Sequence, residues 1–206
     1  MSTPAQRTRQ RDHRESTRRQ ILDAAEDLLR ERPFRELTVD AVMGEIGLTR
    51  TSFYRHFDDL TDVVLRLFEE VSEDLYEVAK QWSGAAGAGY PDPGRDALAG
   101  LVAFYVRHGP LMRAFHEAAA ADERIERAVR EMTGRMMEVT GGTLERLAEA
   151  GVLQVPDPHE LARAMAIMNQ SYLLSQFGYE PQGDPAVALA TLRTIWLRLA
   201  LPLPQP

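Results

Sequence analysis

The sequence predicts an all-α fold, with a small N-terminal head of three helices followed by a larger helical bundle. Three observations carry that expectation. Apolar residues recur at three- and four-residue steps through nearly the whole chain. No stretch alternates apolar and polar residues as a strand does. The breaks between periodic stretches are Gly, Pro and Asp in positions that start and stop helices. About nine helices result. A chain of 206 residues buries enough surface to need no metal or disulfide staple. The absence of cysteine excludes disulfides, thiolate chemistry and Cys-ligated zinc or iron–sulfur sites.

In chain order, Ile21, Leu22, Ala25, Leu28 and Leu29 form the apolar face of the first helix, which Pro33 ends. Val39, Val42 and Ile46 face one way on a short second helix, with Thr38 as its cap. Gly47 suits a tight turn with positive φ, and Thr49 caps a third helix. Asp58, Asp59 and Thr61 suit the start of a fourth, which carries Val64, Leu67, Phe68, Val71, Leu75, Val78 and Trp82. It should run about 22 residues, or roughly 33 Å. The stretch "SGAAGAGYPDPG" (83–94) is a loop by composition. A helix with Leu98, Leu101, Val102, Tyr105 and Val106 follows, and Gly109-Pro110 interrupts it. Pro110 then opens a short helix with Leu111, Met112 and Phe115. A long helix from Ile125 to Leu147 ends at Gly151, and Gly134, Gly141 and Gly142 predict a bend in it. Asp157-Pro158 and Asp184-Pro185 each read as an N-cap followed by proline in the first turn. The last helix stops at Pro202.

Net charge is -7, which by itself argues against a polyanion partner, but the distribution is uneven. Residues 1–57 hold 11 Arg against 9 Asp and Glu, while the remainder is strongly acidic. Arg7, Arg9, Arg11, Arg14, Arg18 and Arg19 all fall in the first 20 residues. The expected organisation is a basic disordered arm over 1–17, a head over 18–60 and a bundle over 61–206. The arm alone reads equally as a solvated tail or as a nucleic-acid arm that enters a minor groove or pairs with phosphates. No apolar run approaches the roughly 20 residues that cross a bilayer, and the N-terminus lacks a signal-peptide core. A cytoplasmic protein with no membrane partner is the expectation.

The stretch "VDAVMGEIGLTRTSFYRHF" (39–57) is laid out as a helix-turn-helix, whose second helix enters the DNA major groove. Base edges there require short polar groups and arginine, which Arg50, Thr51 and Ser52 supply. Phosphates at the groove rim require hydroxyls and cations, which Thr49, Tyr54, Arg55 and His56 supply. With the cap Thr38, these eight form the candidate DNA-binding set, and Phe53 and Phe57 anchor the helix in the head. The competing reading is an ordinary helical hairpin.

The run "ILDAAEDLLRERPFRELTVDAVMGEIGLTRTSFYRHF" closely resembles the N-terminal domain of TetR-type transcriptional regulators, over residues 18–68. Its marks are the amphipathic first helix, a Thr before the second, Gly-Leu-Thr at the turn and Phe-Tyr-x-x-Phe closing the recognition helix. Further on, "HELARAMAIMNQSYLLSQFGYEP" (159–181) and "TLRTIWLRLA" (191–200) resemble the ethionamide-resistance-regulator subgroup. In that resemblance Asn169 matches a pocket asparagine that hydrogen-bonds ligands, and Trp196 and Tyr105 match aromatic pocket walls. Met136 and Val139 stand where the relative has aromatics, so the resemblance does not carry over the pocket's shape or its ligand. Leu60, after Asp58 and Asp59, stands where the family commonly has a phosphate-binding lysine. The carboxylates repel phosphate there, and the arginine arm is expected to compensate.

The resemblance implies a ligand-responsive regulator, in the usual outcome a repressor. It would bind a palindromic operator in double-stranded DNA as a homodimer and be released by a small, mainly apolar effector. Half-sites would lie one turn, about 34–36 Å, or a multiple apart. The last two helices would pair across the twofold, with Leu161, Met165, Leu189 and Leu192 as candidate interface residues; the competing explanation places them in the core of one chain. The expected pocket is lined by Phe104, Tyr105, His108, Phe115, Met132, Met136, Asn169, Tyr172 and Trp196. Each alone suits a core equally, except Asn169, whose amide requires a partner among apolar neighbours. No cofactor, metal or catalytic residue is expected: the five histidines form no HExxH or Glu-x-x-His pair, and no Gly-rich phosphate loop or G-x-S-x-G occurs. The rival readings are a helical interaction protein without DNA binding and an enzyme built on an all-α bundle.

Overall fold

The computed structural model describes residues 4–85 and 93–199, with side chains over 11–80 and 96–198. Among the described residues there are eight α-helices, one short 3-10 turn at Phe34–Glu36 and no strand. The helices are α1 Pro4–Glu31, α2 Val39–Glu45, α3 Arg50–Phe53, α4 Leu60–Ala85, α5 Pro93–Ala119, α6 Glu123–Glu149, α7 Pro158–Phe177 and α8 Pro185–Leu199.

The helix starts follow from local chemistry. The Thr38 hydroxyl accepts from Ala41 N at 3.1 Å, and the Thr49 hydroxyl from Ser52 N at 3.3 Å. Asp59 accepts from Asp62 N at 2.9 Å at the head of α4. The Asp157 carboxylate accepts from His159 N and Glu160 N, both at 3.0 Å, with Pro158 in the first turn. Asp184 does the same for Ala186 N at 2.7 Å, ahead of α8. Each satisfies orphan N–H groups of a first turn. Gly47, at φ 66°, closes α2. Its N–H and that of Leu48 donate to the Gly44 and Met43 carbonyls at 3.2 and 3.0 Å. That pair of bonds needs a left-handed residue at the turn, which glycine supplies without strain. Gly151 closes α6 in the same way.

Two expectations require correction. The first concerns the arm: residues 4–17 belong to α1, which runs 28 residues without a break. No Gly or Pro follows Pro4 in it, and Arg, Gln and Glu are good helix formers. The Arg11–Glu15 and Arg19–Asp23 pairs, at 3.3 and 2.7 Å, support consecutive turns, and the buried face from Ile21 onward nucleates the helix. The second concerns Gly109-Pro110, which does not interrupt α5. Pro110 leaves the Val106 carbonyl without its helical N–H, and Gln182 Nε2 donates to that carbonyl at 3.3 Å instead. Gly109 faces the end of α7: a Cβ there would fall on the Phe177 carbonyl oxygen and 2.6 Å from its carbon. The dipeptide marks a close helix contact, so there are eight α-helices where about nine were expected. In α6 the helical assignment continues through Gly134, Gly141 and Gly142. The expected loop 83–94 falls partly on α4 and α5 and otherwise outside the described residues, as does the stop at Pro202.

Two compact units emerge, one from residues 1–70 with 114–128 and the other from 71–113 with 129–206. The expected border at 60/61 is therefore displaced. In the first unit the start of α4 is tied to the α5–α6 turn. The Thr61 hydroxyl donates to Asp122 at 2.6 Å, and Arg124 reaches Asp59 at 2.6 Å. Phe68 meets Phe115 edge-on at 5.1 Å. Ile21, Ala25, Leu29, Val42, Met43, Phe53, Val63 and Phe115 are buried at the centre of this head. The second unit packs Leu144, Leu153, Ala162 and Met165 together, with Leu161 and Trp196 against them.

Candidate DNA-reading face and ligand cavity

The third helix is divided into two sides by its anchors. Phe53 is fully buried and Phe57 nearly so. Their rings lie 5.8 Å apart, and the Tyr54 ring meets Phe53 edge-on at 5.3 Å. With these inward, Arg50, Thr51, Tyr54 and Arg55 are exposed, as are the caps Thr38 and Thr49; Ser52 and His56 are half-exposed. Arg50 is held in place before any ligand arrives. Its Nη1 donates to Asp40 at 3.1 Å, and its Nη2 to the Tyr54 hydroxyl at 3.3 Å. Asp40 escaped the sequence reading, since the pairing spans the turn between two helices. Thr38 and Thr49 have hydroxyls engaged in capping, so their first role is to fix α2 and α3.

Of the two carboxylates before Leu60, Asp59 is engaged. Asp59 caps α4, and Arg124 pairs with Asp59, Asp62 and Asp122 at 2.6, 3.5 and 3.8 Å. The hydrogen bond from Thr61 holds the Asp122 carboxyl below its ordinary range, aided by the N–H groups of Arg124 and Ile125. The repulsion expected at this edge is thus partly neutralised within the head.

In the second unit a cavity of about 120 Å³ opens among α4, α5, α6, α7 and α8. Of the expected pocket residues, Tyr105, Met132, Met136, Asn169 and Trp196 line it. Phe104, His108, Phe115 and Tyr172 do not. Phe104 instead packs on Tyr105 and His108, at 5.4 and 5.0 Å between ring centres. His108 is 3.4 Å from Asp74. Phe115 belongs to the head, since it lies ten residues past Tyr105, about 15 Å along the helix. The walls that sequence reading missed are Leu75, Val78, Ala79, Ala97, Leu98, Leu101, Thr133, Thr140, Met165, Ala166 and Gln170. Alanines on otherwise bulky apolar stripes were the available signal, because a small side chain on a packed face leaves space.

Among the described lining residues none is charged. Asn169 is buried, and its Oδ1 accepts from Trp196 Nε1 at 3.4 Å. That bond takes one of the oxygen's two lone pairs and turns the amide so that its N–H₂ is a donor for a guest. Burial pushes the Tyr105 hydroxyl's pKa up, so it stays a neutral donor. Among the described residues no group of His, Asp and Glu is placed to hold a metal ion, and no described helix is long and apolar enough to cross a membrane.

Two of the four candidate interface residues are buried within this chain. Met165 is 5% exposed and lines the cavity, and Leu192 is fully buried. Leu161 packs on Leu144, Leu153, Ala162 and Met165, and Leu189 is half-buried. These residues lie on the inward stripes of α7 and α8, where an apolar pattern marks core first. The outward stripes carry Ile167, Val187 and Leu197 at 51%, 58% and 47% exposure.

Comparisons with known proteins agree with this arrangement. The family of bacterial regulatory proteins described as the tetR family matches residues 21–67. The HTH-type transcriptional regulator EthR of Mycobacterium tuberculosis is 28% identical over 184 residues, covering 86% of this chain and 83% of that protein. Among solved structures, the TetR-family regulator PfmR of Thermus thermophilus superposes with a TM-score of 0.71 at 18% identity, covering 88% of this chain and 99% of the other. The TetR-family repressor FadR of Thermus thermophilus, solved with lauroyl-CoA, gives 0.62 at 23% identity, covering 92% and 97%. The two structures carry the fold, and the sequence matches carry the kinship. These proteins are transcriptional regulators and not enzymes. Residues 21–67 thus match the tetR family of bacterial regulatory proteins, and the chain as a whole resembles the transcriptional regulator EthR.

Proposed function

We propose that the chain is a cytoplasmic repressor that binds a palindromic DNA operator as a homodimer and is released by a small neutral effector. The observation that carries this reading is the two-sided third helix. Its aromatic anchors are buried while Arg50, Thr51 and Tyr54 stand exposed. Such a side fits the major groove, where a well-placed arginine pairs with a guanine edge. Asp40 and Tyr54 both accept hydrogen bonds from Arg50 on that side. Dimerisation is attributed to the outward stripes of α7 and α8: Ala164, Ile167 and Ser171 on one, Val187, Ala190, Thr194 and Leu197 on the other. Small and apolar side chains of this kind suit close helix packing across a twofold.

Duplexes enriched from a random pool by the purified protein test the reading. A palindromic consensus is expected, and Arg50→Ala should lower the preference for it over scrambled DNA by roughly 10- to 100-fold. Recovery of no consensus, with no duplex binding at low salt, would dismiss the regulator reading.

The effector is read from the cavity walls. With no charge in the described walls, an ionised guest would lose its hydration without compensation. The described walls also offer no cation to a phosphate group. The guest is therefore neutral and mainly apolar, with one hydrogen-bond acceptor, such as an amide or ester carbonyl, for the Asn169 amide. A ligand acts only through its different affinity for DNA-competent and other states. Since α4 has residues in both compact units, the cavity is linked to the head by continuous helix. Medium-chain amides, used as probes, should quench Trp196 fluorescence and weaken operator binding. Asn169→Leu should weaken those amides roughly tenfold or more, the scale of one lost buried hydrogen bond, while operator affinity without probe stays unchanged. An undiminished amide response would remove Asn169 from the site.

A further inference from the structure

We propose that the Tyr105 hydroxyl is a second hydrogen-bonding pole of the cavity, so that the effector carries a further oxygen function, a hydroxyl or a carbonyl, besides the acceptor that meets Asn169. The proposal rests on the reading of this cavity as the effector site and adds what else its occupant must contain. Tyr105 is only 3% exposed, and it lines the cavity from α5. Among the described residues its hydroxyl makes no hydrogen bond. Burial by itself pushes its pKa up, and no charged or hydrogen-bonding neighbour acts on it. Nor is the hydroxyl one of the polar atoms sealed away from all open space, as Nδ1 of His56 is. It therefore opens into the cavity. The Phe104 ring, edge-on to the Tyr105 ring at 5.4 Å, restricts its swing.

Packing does not demand a tyrosine here. A phenylalanine would fill the same apolar space, and an unbonded hydroxyl in such a setting costs free energy. Buried tyrosine hydroxyls ordinarily find a partner. Other polar walls have theirs: Asn169 accepts from Trp196, and Thr133 donates to the Val129 carbonyl at 2.8 Å. The two poles also stand at different levels. Ala97 packs on the cluster that includes Met165, and Gly109 closes on Phe177. Both helices advance by twelve residues between these contacts, so α5 and α7 run side by side in the same direction. On that register Tyr105 lies about one turn, roughly 6 Å, beyond Asn169. A guest that reaches both poles carries an apolar spacer between two oxygens. The Tyr105 hydroxyl both donates and accepts, so an alcohol or a carbonyl satisfies it. A plain alkyl tail laid against it would exclude water and strand it.

The test uses the full chain and paired probes, the straight-chain amides from butanamide to octanamide and the terminal alcohol of each. Affinities are measured by calorimetry for wild type, Tyr105→Phe and Asn169→Leu. At the chain length that spans the two poles, the affinity ratio of alcohol to plain amide should fall roughly tenfold in Tyr105→Phe, the scale of one buried hydrogen bond. Asn169→Leu should weaken both members of a pair alike and leave their ratio standing. Without any probe, Tyr105→Phe should melt at or above the wild-type temperature, because the hydroxyl it removes holds nothing in the fold. A ratio unaltered at every length, or a melting temperature well below wild type, would overturn the second pole. Binding of the plain amides would then still support the effector reading. A wild-type chain that binds neither member of any pair would overturn both.

Discussion

Phe53→Ala is expected to unfold the DNA-binding head and abolish operator binding. Phe53 is fully buried, and α3 is only four residues of regular helix. So short a helix is not stable by itself in water. The Thr49 cap and the Phe53–Phe57 pair are what hold it. Truncating such a buried ring costs about 3–5 kcal/mol, the lost transfer energy plus the cavity left behind. A domain has only about 5–15 kcal/mol in total. Circular dichroism should show the thermal midpoint falling by roughly 10 °C. Tyr54→Ala is the matched comparison. It removes the ring that meets Phe53 edge-on but is 51% exposed, so it should melt within a few degrees of wild type and still lose DNA. A Phe53→Ala protein that melts like wild type would show that the recognition helix is held by something other than this ring.

Gly109→Ala should destabilise the second compact unit by about 3 kcal/mol, the upper end of overpacking costs. The new methyl would fall on the main chain of Phe177. A carbonyl cannot rotate aside as the end of a flexible side chain does. To admit the methyl, the end of α7 must withdraw, and Gln182 then loses its hold on the Val106 and Phe177 carbonyls, both now at 3.3 Å. The Val106 carbonyl has no helical N–H to return to, because of Pro110. Gly134→Ala provides the opposite sign. It lies on the exposed side of α6 with nothing within 4 Å of an added Cβ, so it should stabilise by about 0.5–1 kcal/mol. Urea denaturation of the three proteins reads both effects. Equal midpoints for wild type and Gly109→Ala would mean that α7 yields freely at this point.

Most of the fold was legible because its signals are local. A cap and its first turn lie within three residues, so Thr38, Thr49, Asp157 and Asp184 announced their helices directly. The two sides of α3 were legible for the same reason, since Phe53 and Phe57 are one turn apart and the polar residues fill the remainder. What escaped reading depends on neighbours distant in sequence. Gly109-Pro110 has the chemistry of a helix break, and only the arrival of Phe177 and Gln182 makes it a place where two helices meet. The cavity was half legible: Asn169 and Trp196 were found through resemblance, whereas Ala97 and Ala166 matter for the room they leave. Met165 and Leu192 read as surplus apolar residues, and periodicity alone does not distinguish an inward stripe from one awaiting a second chain. The arm was misread because a run of arginines looks solvated until its ion pairs and the helix behind it are counted.

The division of labour within α3 has an evolutionary corollary. Its fixings are Phe53, Phe57 and the Thr49 hydroxyl, while its proposed vocabulary occupies Arg50, Thr51 and Tyr54. Words can be exchanged on the outer side without disturbing the binding that holds the page. A lineage could thus acquire new operators by rewriting three or so positions, at little risk to folding, and keep the same sensor throughout.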